Sequence, residues 1–270
     1  MTIGKTPNTA TAFDQVQFIM ISPSHPGNVG AAARAIKTMG FTHLTLVDVC
    51  PSILTHSEAI ARASGAVDVL KRTRLVPDLQ TALVGVQLSY GLSARTRYQG
   101  PPPCNIRQAA EQSVQYIHQY GSQIALVLGT ERVGLTNEQT RQCNYLCHIP
   151  ANEHYSSLNV AQALQLAAWE LRYALLEKQN SPAALLPTGK KGIKHQRQGP
   201  AAHEQVDALL QHWFEAMLAL QVTTAADNKK VAERMEQFFR RFQMQEDEVS
   251  LFRGVCTAIL KHTKNTKEGQ

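Results

Sequence analysis

Four polar side chains lie close to points where apolar runs give way to loops or helices: Asn28, Arg34, Glu131 and Asn159. Arg34 follows Asn28 within a run of small residues, and Asn28 is a suitable N-cap, so the sequence predicts a helix over 29–39 with Arg34 in its second turn. A guanidinium fork and the first amides of a helix both bind phosphate, and the segment therefore indicates a phosphate site. The alternative interpretation is an arginine that extends into solvent along an amphipathic helix.

Two further segments repeat this layout, in which a predicted strand leads through a polar loop into a helix. LVLGTERVGLTNEQ (126–139) carries Glu131 in a glycine loop, but its glycine spacing matches neither a dinucleotide fingerprint nor a P-loop. IPANEHYSSLN (149–159) ends with Asn159 in the first turn of the next predicted helix. Loops of this kind present backbone N–H and C=O groups to a ligand.

Short apolar runs alternate with helical patterns through the first half of the chain. Buried strands are predicted at 16–21, 43–48, 84–90, 124–129 and 146–150, and helices at 29–39, 57–70, 78–83, 105–119, 136–142 and 157–178. This alternation predicts right-handed βαβ units. We therefore expect an α/β fold built on a mostly parallel sheet with helices on both faces.

The composition of the sequence changes after Lys178, and the chain is predicted to contain four regions. Residues 1–12 are expected to form a flexible tail, 13–178 the α/β domain, 179–201 a basic linker rich in proline and glycine, and 202–264 a small all-helical extension. Three apolar stripes at helical spacing support the extension, although so short a segment gives a thin core by itself.

In this order, the three segments resemble the motifs of the SpoU-type RNA 2′-O-ribose methyltransferases of the SPOUT superfamily. The first resembles N-x-G-x-x-x-R, the second L-x-x-G-x-E-x-x-G-L, and the third I-P followed by S-L-N. The residues that carry these matches are Asn28, Gly30 and Arg34; Leu126, Gly129, Glu131, Gly134 and Leu135; and Ile149, Pro150, Ser157, Leu158 and Asn159. The resemblance covers about residues 14–178 and is strongest to the TrmJ-type group, which the helical tail also resembles.

The resemblance implies a deep trefoil knot, a bound S-adenosyl-L-methionine and a homodimer whose site is built at the subunit interface. The cofactor-binding residues it implies are Leu92, Ser93, Ala94, Leu128, Gly129, Ile149, Ser156, Ser157 and Leu158. The catalytic residues it implies are Asn28, Arg34, Glu131 and Asn159. The implied substrate is tRNA, methylated at the ribose of nucleotide 32, a cytidine or uridine of the anticodon loop.

Several alternatives stay open at the level of the sequence. The same chemistry could act on another tRNA site or on ribosomal RNA. A non-catalytic RNA-binding module and a dinucleotide-dependent oxidoreductase are less compatible with three intact motifs and with the missing G-x-G-x-x-G. Arg34 could serve as the base or, because guanidinium is almost always protonated, as a phosphate-anchored group that orients the hydroxyl.

Composition favours an anionic partner. The chain has 270 residues, a net charge of +6 and a pI near 9.1. The polar N-terminus and the lack of a long apolar run predict a cytoplasmic protein without a membrane span. Cys143, Cys147 and His148 resemble half of a metal site, but no second ligand pair completes it, so we expect no metal.

Overall fold

The computed structural model describes residues 12–94, 100–180, 199–223 and 228–268. Residues 1–11 of the predicted tail and residues 181–198 of the predicted linker lie outside the described residues, whereas Ala12 is described and buried. The chain divides into two compact units, Met1–Lys194 and His195–Gln270, and each unit is described by itself. Within the described ranges, no helix combines the length and the apolar character that crossing a membrane requires.

The first unit is built on one sheet of seven strands, and every pair of neighbouring strands in it is parallel. The strands are β1 Val16–Ile21, β2 His43–Val47, β3 Arg74–Val76, β4 Leu88–Leu92, β5 Pro103–Asn105, β6 Ile124–Leu128 and β7 Tyr145–His148. Their order across the sheet is β3-β2-β1-β6-β4-β7-β5. The central strands are apolar and buried, as a parallel sheet covered on both faces requires.

Seven α-helices cover the two faces of this sheet within the described part of the first unit. They are α1 Pro26–Thr38, α2 Ser57–Ala63, α3 Val67–Arg72, α4 Leu79–Ala82, α5 Ile106–Tyr120, α6 Asn137–Arg141 and α7 Val160–Asn180. Alternate residues of β1 belong to two separate cores: Phe18 packs with α1, α5 and α7, whereas Ile19 packs with α4 on the other face. The predicted α/β class, the parallel sheet and the placement of helices on both faces are therefore confirmed.

The structure corrects several predicted boundaries. The helix predicted over 57–70 is two helices, because Ser64 has a positive φ of 51° and a short 3₁₀ turn separates α2 from α3. The strand predicted over 84–90 begins only at Leu88 and continues to Leu92. The edge strands β3 and β5 were not predicted, since three residues are too few to show a period.

The second unit contains three helices in its described part, α8 His203–Ala219, α9 Asn228–Arg241 and α10 Glu246–Glu268. Trp213 packs edge-on against Phe239 and Phe252, and these rings meet the buried Leu209 and Cys256 in one apolar cluster. The apolar stripes of the sequence therefore meet in a small core, as predicted for a helical extension.

Arg240 lies in the interior of this helical unit. Its side chain is 7% exposed, donates Nη2 to Asp207 and Nε to Glu236, and contacts His203 Nδ1 through Nη1 at 2.9 Å. A buried guanidinium is stable only when its N–H donors have hydrogen-bond partners, and these three neighbours are the partners. Burial lowers the pKa of His203 well below its ordinary value, and the charge of Arg240 lowers it further.

The lowered pKa of His203 predicts an acid-sensitive helical unit. Below the ordinary histidine pKa of about 6.5, the unfolded chain binds a proton that the folded helical unit excludes. The free energy of unfolding should therefore decrease as the pH is lowered, by at most about 1.4 kcal/mol for each pH unit. Denaturant unfolding followed by Trp213 fluorescence in a Trp169→Phe background should show this slope. His203→Asn, which keeps an acceptor toward Arg240, should flatten it, and an unchanged slope in that variant would assign the effect to other groups.

Candidate active site

The N-terminus of α1 is capped by a side chain from a distant part of the sequence. His25 occupies the N-cap position but makes no side-chain cap bond. The Glu131 carboxylate instead accepts from the Ser24 backbone N–H at 3.1 Å, from the Ser24 hydroxyl at 3.0 Å and from the His25 N–H at 3.4 Å. An anion here complements the positive end of the helix dipole. The phosphate site predicted for the start of this helix stays a prediction, and Glu131 is bound to the two amides that precede the helix.

A single hydrogen-bonded chain joins Glu131 to Asn28 and Asn159. Asn28 Nδ2 donates to Glu131 Oε1 at 3.1 Å, and Asn159 Nδ2 donates to Asn28 Oδ1 at 3.0 Å. Asn159 Oδ1 accepts from the backbone N–H of Ala161 at 2.9 Å, and so caps the start of α7. The three residues, one from each sequence segment, thus fix the relative positions of α1, the loop after β6 and α7.

The same contacts set the ionisation of Glu131. Burial opposes its charge, but the hydrogen bonds from Asn28 and from Ser24 outweigh burial and lower the pKa of this carboxyl below its ordinary value. Glu131 is therefore a fixed anion near neutral pH. Four donors already engage its oxygens, which makes it a group that positions others and a poor acceptor for a further proton.

Replacing Glu131 with glutamine should remove this cap, because the amide group turns one acceptor into a donor that faces other donors. We expect a loss of about 1 kcal/mol of stability at neutral pH. Because the native pKa is lowered, the difference from wild type should persist above the ordinary carboxyl value and vanish as the pH falls through the native pKa. Urea unfolding between about pH 3 and 7 measures it. Glu153→Gln, in an exposed loop, is the matched control, and a pH-independent difference would contradict the assignment.

The loop after β6 folds back on itself and leaves no space for a side chain at Gly129. A Cβ at Gly129 would lie 2.1 Å from the backbone carbon of Gly134 and 2.3 Å from the backbone nitrogen of Leu135. The turn is closed by the Gly134 N–H, which donates to the Thr130 carbonyl at 2.9 Å. The backbone of residues 129–134 therefore forms a compact wall beside the carboxyl end of β6.

That wall belongs to a cleft at the carboxyl ends of β4, β6 and β7. All nine residues predicted to bind a cofactor line it, namely Leu92, Ser93, Ala94, Leu128, Gly129, Ile149, Ser156, Ser157 and Leu158. Glu131, Arg132 and Cys147 also line it, and of these Arg132 and Cys147 were not predicted as site residues. The cleft has a volume of about 160 Å³ and opens to solvent, so it is smaller than the roughly 300–1,000 Å³ of typical small-molecule sites.

A groove between α1, α2 and α7 lies next to this cleft, and Leu158 lines both. Asn28 and Asn159 line the groove together with His25, and Glu58, Arg62, Gln162 and Gln165 add further polar groups. The hydrogen-bonded chain of Glu131, Asn28 and Asn159 forms the partition between the two. His25 and the α2 residues were not predicted, since only the packing of the helices brings them to this groove.

Arg34 lies apart from the other three predicted catalytic residues. The helix starts at Pro26, so Arg34 falls in its third turn and Asn28 lies inside the helix, which corrects the predicted start and cap. The side chain is exposed, lines neither the cleft nor the groove, and makes no hydrogen bond or ion pair with any described residue. Its guanidinium is thus available to a ligand outside this chain.

The described residues contain no group of three His, Cys, Asp or Glu side chains placed to hold a metal ion. Cys147 is buried in β7 and Cys143 is buried in the turn before that strand, and all five cysteines are free thiols. Cys104 and Cys147 face each other across β5 and β7. The local cysteine and histidine pattern is therefore part of a strand and its packing.

A parallel sheet with a glycine-loop cleft at the carboxyl ends of its strands defines an α/β protein of the class that binds ligands at this edge of the sheet. Comparison with known proteins identifies the family within this fold class. The profile of the SpoU rRNA Methylase family matches residues 15–169, and that of the tRNA methyltransferase TrmJ C-terminal domain matches residues 204–268. The chain therefore belongs to the SpoU methylase family, in its TrmJ branch.

Individual relatives agree with this assignment. The tRNA (cytidine/uridine-2′-O-)-methyltransferase TrmJ of Yersinia pestis (strain Pestoides F) is 34% identical over 260 residues, which are 94% of this chain and 95% of that protein. A probable methyltransferase from Bordetella pertussis Tohama I is 57% identical over 62% of this chain and 99% of its own, with a TM-score of 0.59. TrmJ from Z. mobilis ZM4 shares the fold, with a TM-score of 0.72 over 90% of this chain and 98% of its own at 24% identity.

Proposed function

We propose that this enzyme transfers a methyl group from S-adenosyl-L-methionine to the ribose 2′-hydroxyl of nucleotide 32 in tRNA. The observation that carries the proposal is the convergence of all nine predicted cofactor residues on one cleft. The partition formed by Glu131, Asn28 and Asn159 supports it, because it joins the three family motifs beside that cleft. Relatives named as tRNA (cytidine/uridine-2′-O-)-methyltransferases over nearly the whole chain supply the substrate class.

The cleft fits S-adenosyl-L-methionine in chemistry. Leu92, Leu128 and Ile149 offer apolar surface to an adenine ring, and the strand ends and the loop at Gly129 offer backbone groups to its polar edge. Glu131 and Arg132 place charges of both signs in the lining, which suits a ligand that is itself both cationic and anionic. When bound, the cofactor supplies an electrophilic methyl group.

The residues of this chain then prepare the hydroxyl that accepts the methyl group. A neutral hydroxyl is a weak nucleophile and must lose its proton as the new bond forms. We assign Arg34 to the phosphate next to the target ribose, where its fork holds the nucleotide and stabilises charge on the hydroxyl oxygen. Asn28 and Asn159 hold the two helices at the site, and Glu131 fixes the start of α1. Arg34 is an orienting group in this mechanism, since guanidinium stays protonated.

We further propose that the enzyme works as a homodimer in which Arg34 serves the cofactor cleft of the partner subunit. Arg34 is exposed and lies outside the lining of its own cleft. Leu166, Trp169 and Tyr173 form an exposed apolar stripe on α7, each between 41% and 52% exposed, which is a suitable surface for a second copy.

A mixed-dimer experiment tests this arrangement. At a cofactor concentration well below the Kd of the Gly129→Ala variant, Arg34→Ala and Gly129→Ala homodimers should each retain little activity, because each loses one half of both sites. Random mixing should restore up to about a quarter of the wild-type activity, since half of the dimers are heterodimers and each regains one of two sites. Each variant taken through the same mixing procedure alone is the control, and it should regain no activity. No recovery in chains shown to exchange subunits would place each site within one subunit.

The finer features implied by the resemblance are also part of the proposal. A trefoil knot is supported by the position of β7 between β4 and β5, which are consecutive in the chain. A tRNA partner is supported by the basic net charge of +6. A cytoplasmic location follows from a tRNA substrate, since the enzyme must meet tRNA there.

Position 32 can be tested with matched substrates. Transcripts of one tRNA carrying a single 2′-deoxyribose at nucleotide 32 or at nucleotide 34 differ only in which hydroxyl is missing. The purified enzyme and labelled S-adenosyl-L-methionine should methylate the second transcript and leave the first unmodified. Methylation of both would support the alternative of another tRNA site, and transfer only to ribosomal RNA would replace tRNA as the substrate class. Binding without transfer to any RNA would refute the proposed function.

A further inference from the structure

The proposed reaction needs a proton acceptor that the four motif residues do not provide. Arg34 is a permanent cation, and the amides of Asn28 and Asn159 do not take up protons near neutral pH. Glu131 has a lowered pKa, and its oxygens already accept from Ser24, His25 and Asn28. The departing proton of the ribose hydroxyl therefore has no destination among these groups.

His25 supplies a free imidazole beside them. It lines the groove with Asn28 and Asn159, it is exposed, and its ring makes no hydrogen bond with any described residue. Its backbone is held in place, since its N–H donates to Glu131 at 3.4 Å and its carbonyl accepts from the Asn28 N–H at 3.0 Å. The backbone of His25 is therefore fixed by the partition that separates the groove from the cofactor cleft.

The charges around His25 come from two elements. Glu131, in the loop after β6, accepts the His25 N–H, and Glu58 and Arg62 line the groove from α2. Asn159 and the α7 residues Gln162 and Gln165, which also line the groove, are uncharged. Glutamines, asparagines and one arginine suit a nucleotide, which carries polar edges and a phosphate. A ribose in this groove lies next to the cofactor cleft, because Leu158 lines both.

Resting on the proposed function, we propose that His25 accepts the proton of the ribose 2′-hydroxyl. As the 2′-oxygen forms its bond to the methyl carbon, the carbon–sulfur bond of the donor breaks and its electron pair stays on sulfur. The hydroxyl proton moves to a ring nitrogen of His25, and the resulting imidazolium returns it to water. Imidazole is the side chain that ordinarily changes charge between about pH 5 and 8, which suits a general base.

Single-turnover methylation rates with saturating S-adenosyl-L-methionine and tRNA test this role between about pH 5.5 and 9. The wild-type rate should fall on the acid side, because a protonated imidazole cannot accept the hydroxyl proton. His25→Ala should be about a hundredfold slower at neutral pH and should lose this acid limb. Added imidazole should restore part of its rate, and the affinities for cofactor and tRNA should stay unchanged. His154→Ala, at another exposed histidine outside the cleft and the groove, is the matched control and should behave as wild type.

The outcomes separate this inference from the proposed function. A His25→Ala enzyme that keeps the wild-type rate or the wild-type acid limb overturns the role of His25 and leaves the methyl transfer standing. A loss of rate that is explained by weaker tRNA binding, with no imidazole rescue, makes His25 a contact residue and also overturns the inference. A wild-type enzyme that methylates no RNA removes the proposed function and this inference together.

Discussion

Arg34→Ala is expected to slow ribose methylation by about 10²–10³-fold while the affinity for S-adenosyl-L-methionine stays unchanged. The guanidinium is exposed and has no hydrogen bond or ion pair with any described residue of its own chain, so its removal leaves the fold intact. Its role in the proposed mechanism is to bind the phosphate beside the target ribose. Interactions of this kind act most strongly when charge develops in the transition state, and their loss therefore appears mainly in kcat.

The controls for Arg34 come from the same helix. Lys37→Ala removes an equal charge from α1, but Lys37 pairs with Asp68 at 2.7 Å on the surface. Such exposed pairs contribute little, and the variant should methylate at close to the wild-type rate. Isothermal titration with the cofactor and single-turnover kinetics with tRNA separate binding from chemistry. Equal losses in Arg34→Ala and Lys37→Ala would show that only the net charge of the helix matters.

The sequence predicts most of the sheet because its central strands are buried on both faces and therefore read as unbroken apolar runs. The prediction of β1 at 16–21 agrees with Val16–Ile21 for this reason. The strands β3 and β5 lie at the edges and are three residues long, so they leave no such signal. The burial of Arg240 leaves no local signal either, because a cation in an amphipathic helix is usually solvated and this burial depends on Asp207 and Glu236.

In the candidate site, as in the fold, some features follow from local sequence patterns and others depend on tertiary contacts. The motif residues identify the cleft, because loops after parallel strands meet at one edge of the sheet. The contact between Glu131 and Ser24 spans 107 positions in the chain, and no local pattern reveals that a carboxylate after β6 caps α1. The position of His25 in the groove depends on the packing of α1 against α2 and α7. These contacts are tertiary, and they decide which groups bind, position or accept a proton.

Gly129→Ala is expected to weaken cofactor binding by about ten- to a hundredfold, since overpacking of this kind costs about 1–3 kcal/mol. The added methyl group would lie 2.1 Å from the Gly134 backbone carbon, and backbone atoms cannot move aside as a flexible side chain can. The loop that walls the cleft must therefore shift, and the shift also displaces Glu131 from the start of α1.

The control for this variant is Gly65→Ala, because a Cβ at Gly65 meets no atom within 4 Å. It should bind the cofactor as wild type does and should keep the same stability. Circular dichroism checks that Gly129→Ala still folds, and titration calorimetry measures its affinity. Unchanged affinity in a folded Gly129→Ala protein would mean that the ligand does not contact this loop. The cleft would then lose its strongest link to S-adenosyl-L-methionine, because the Gly129 loop supplies both its tightest wall and the carboxylate that joins it to α1.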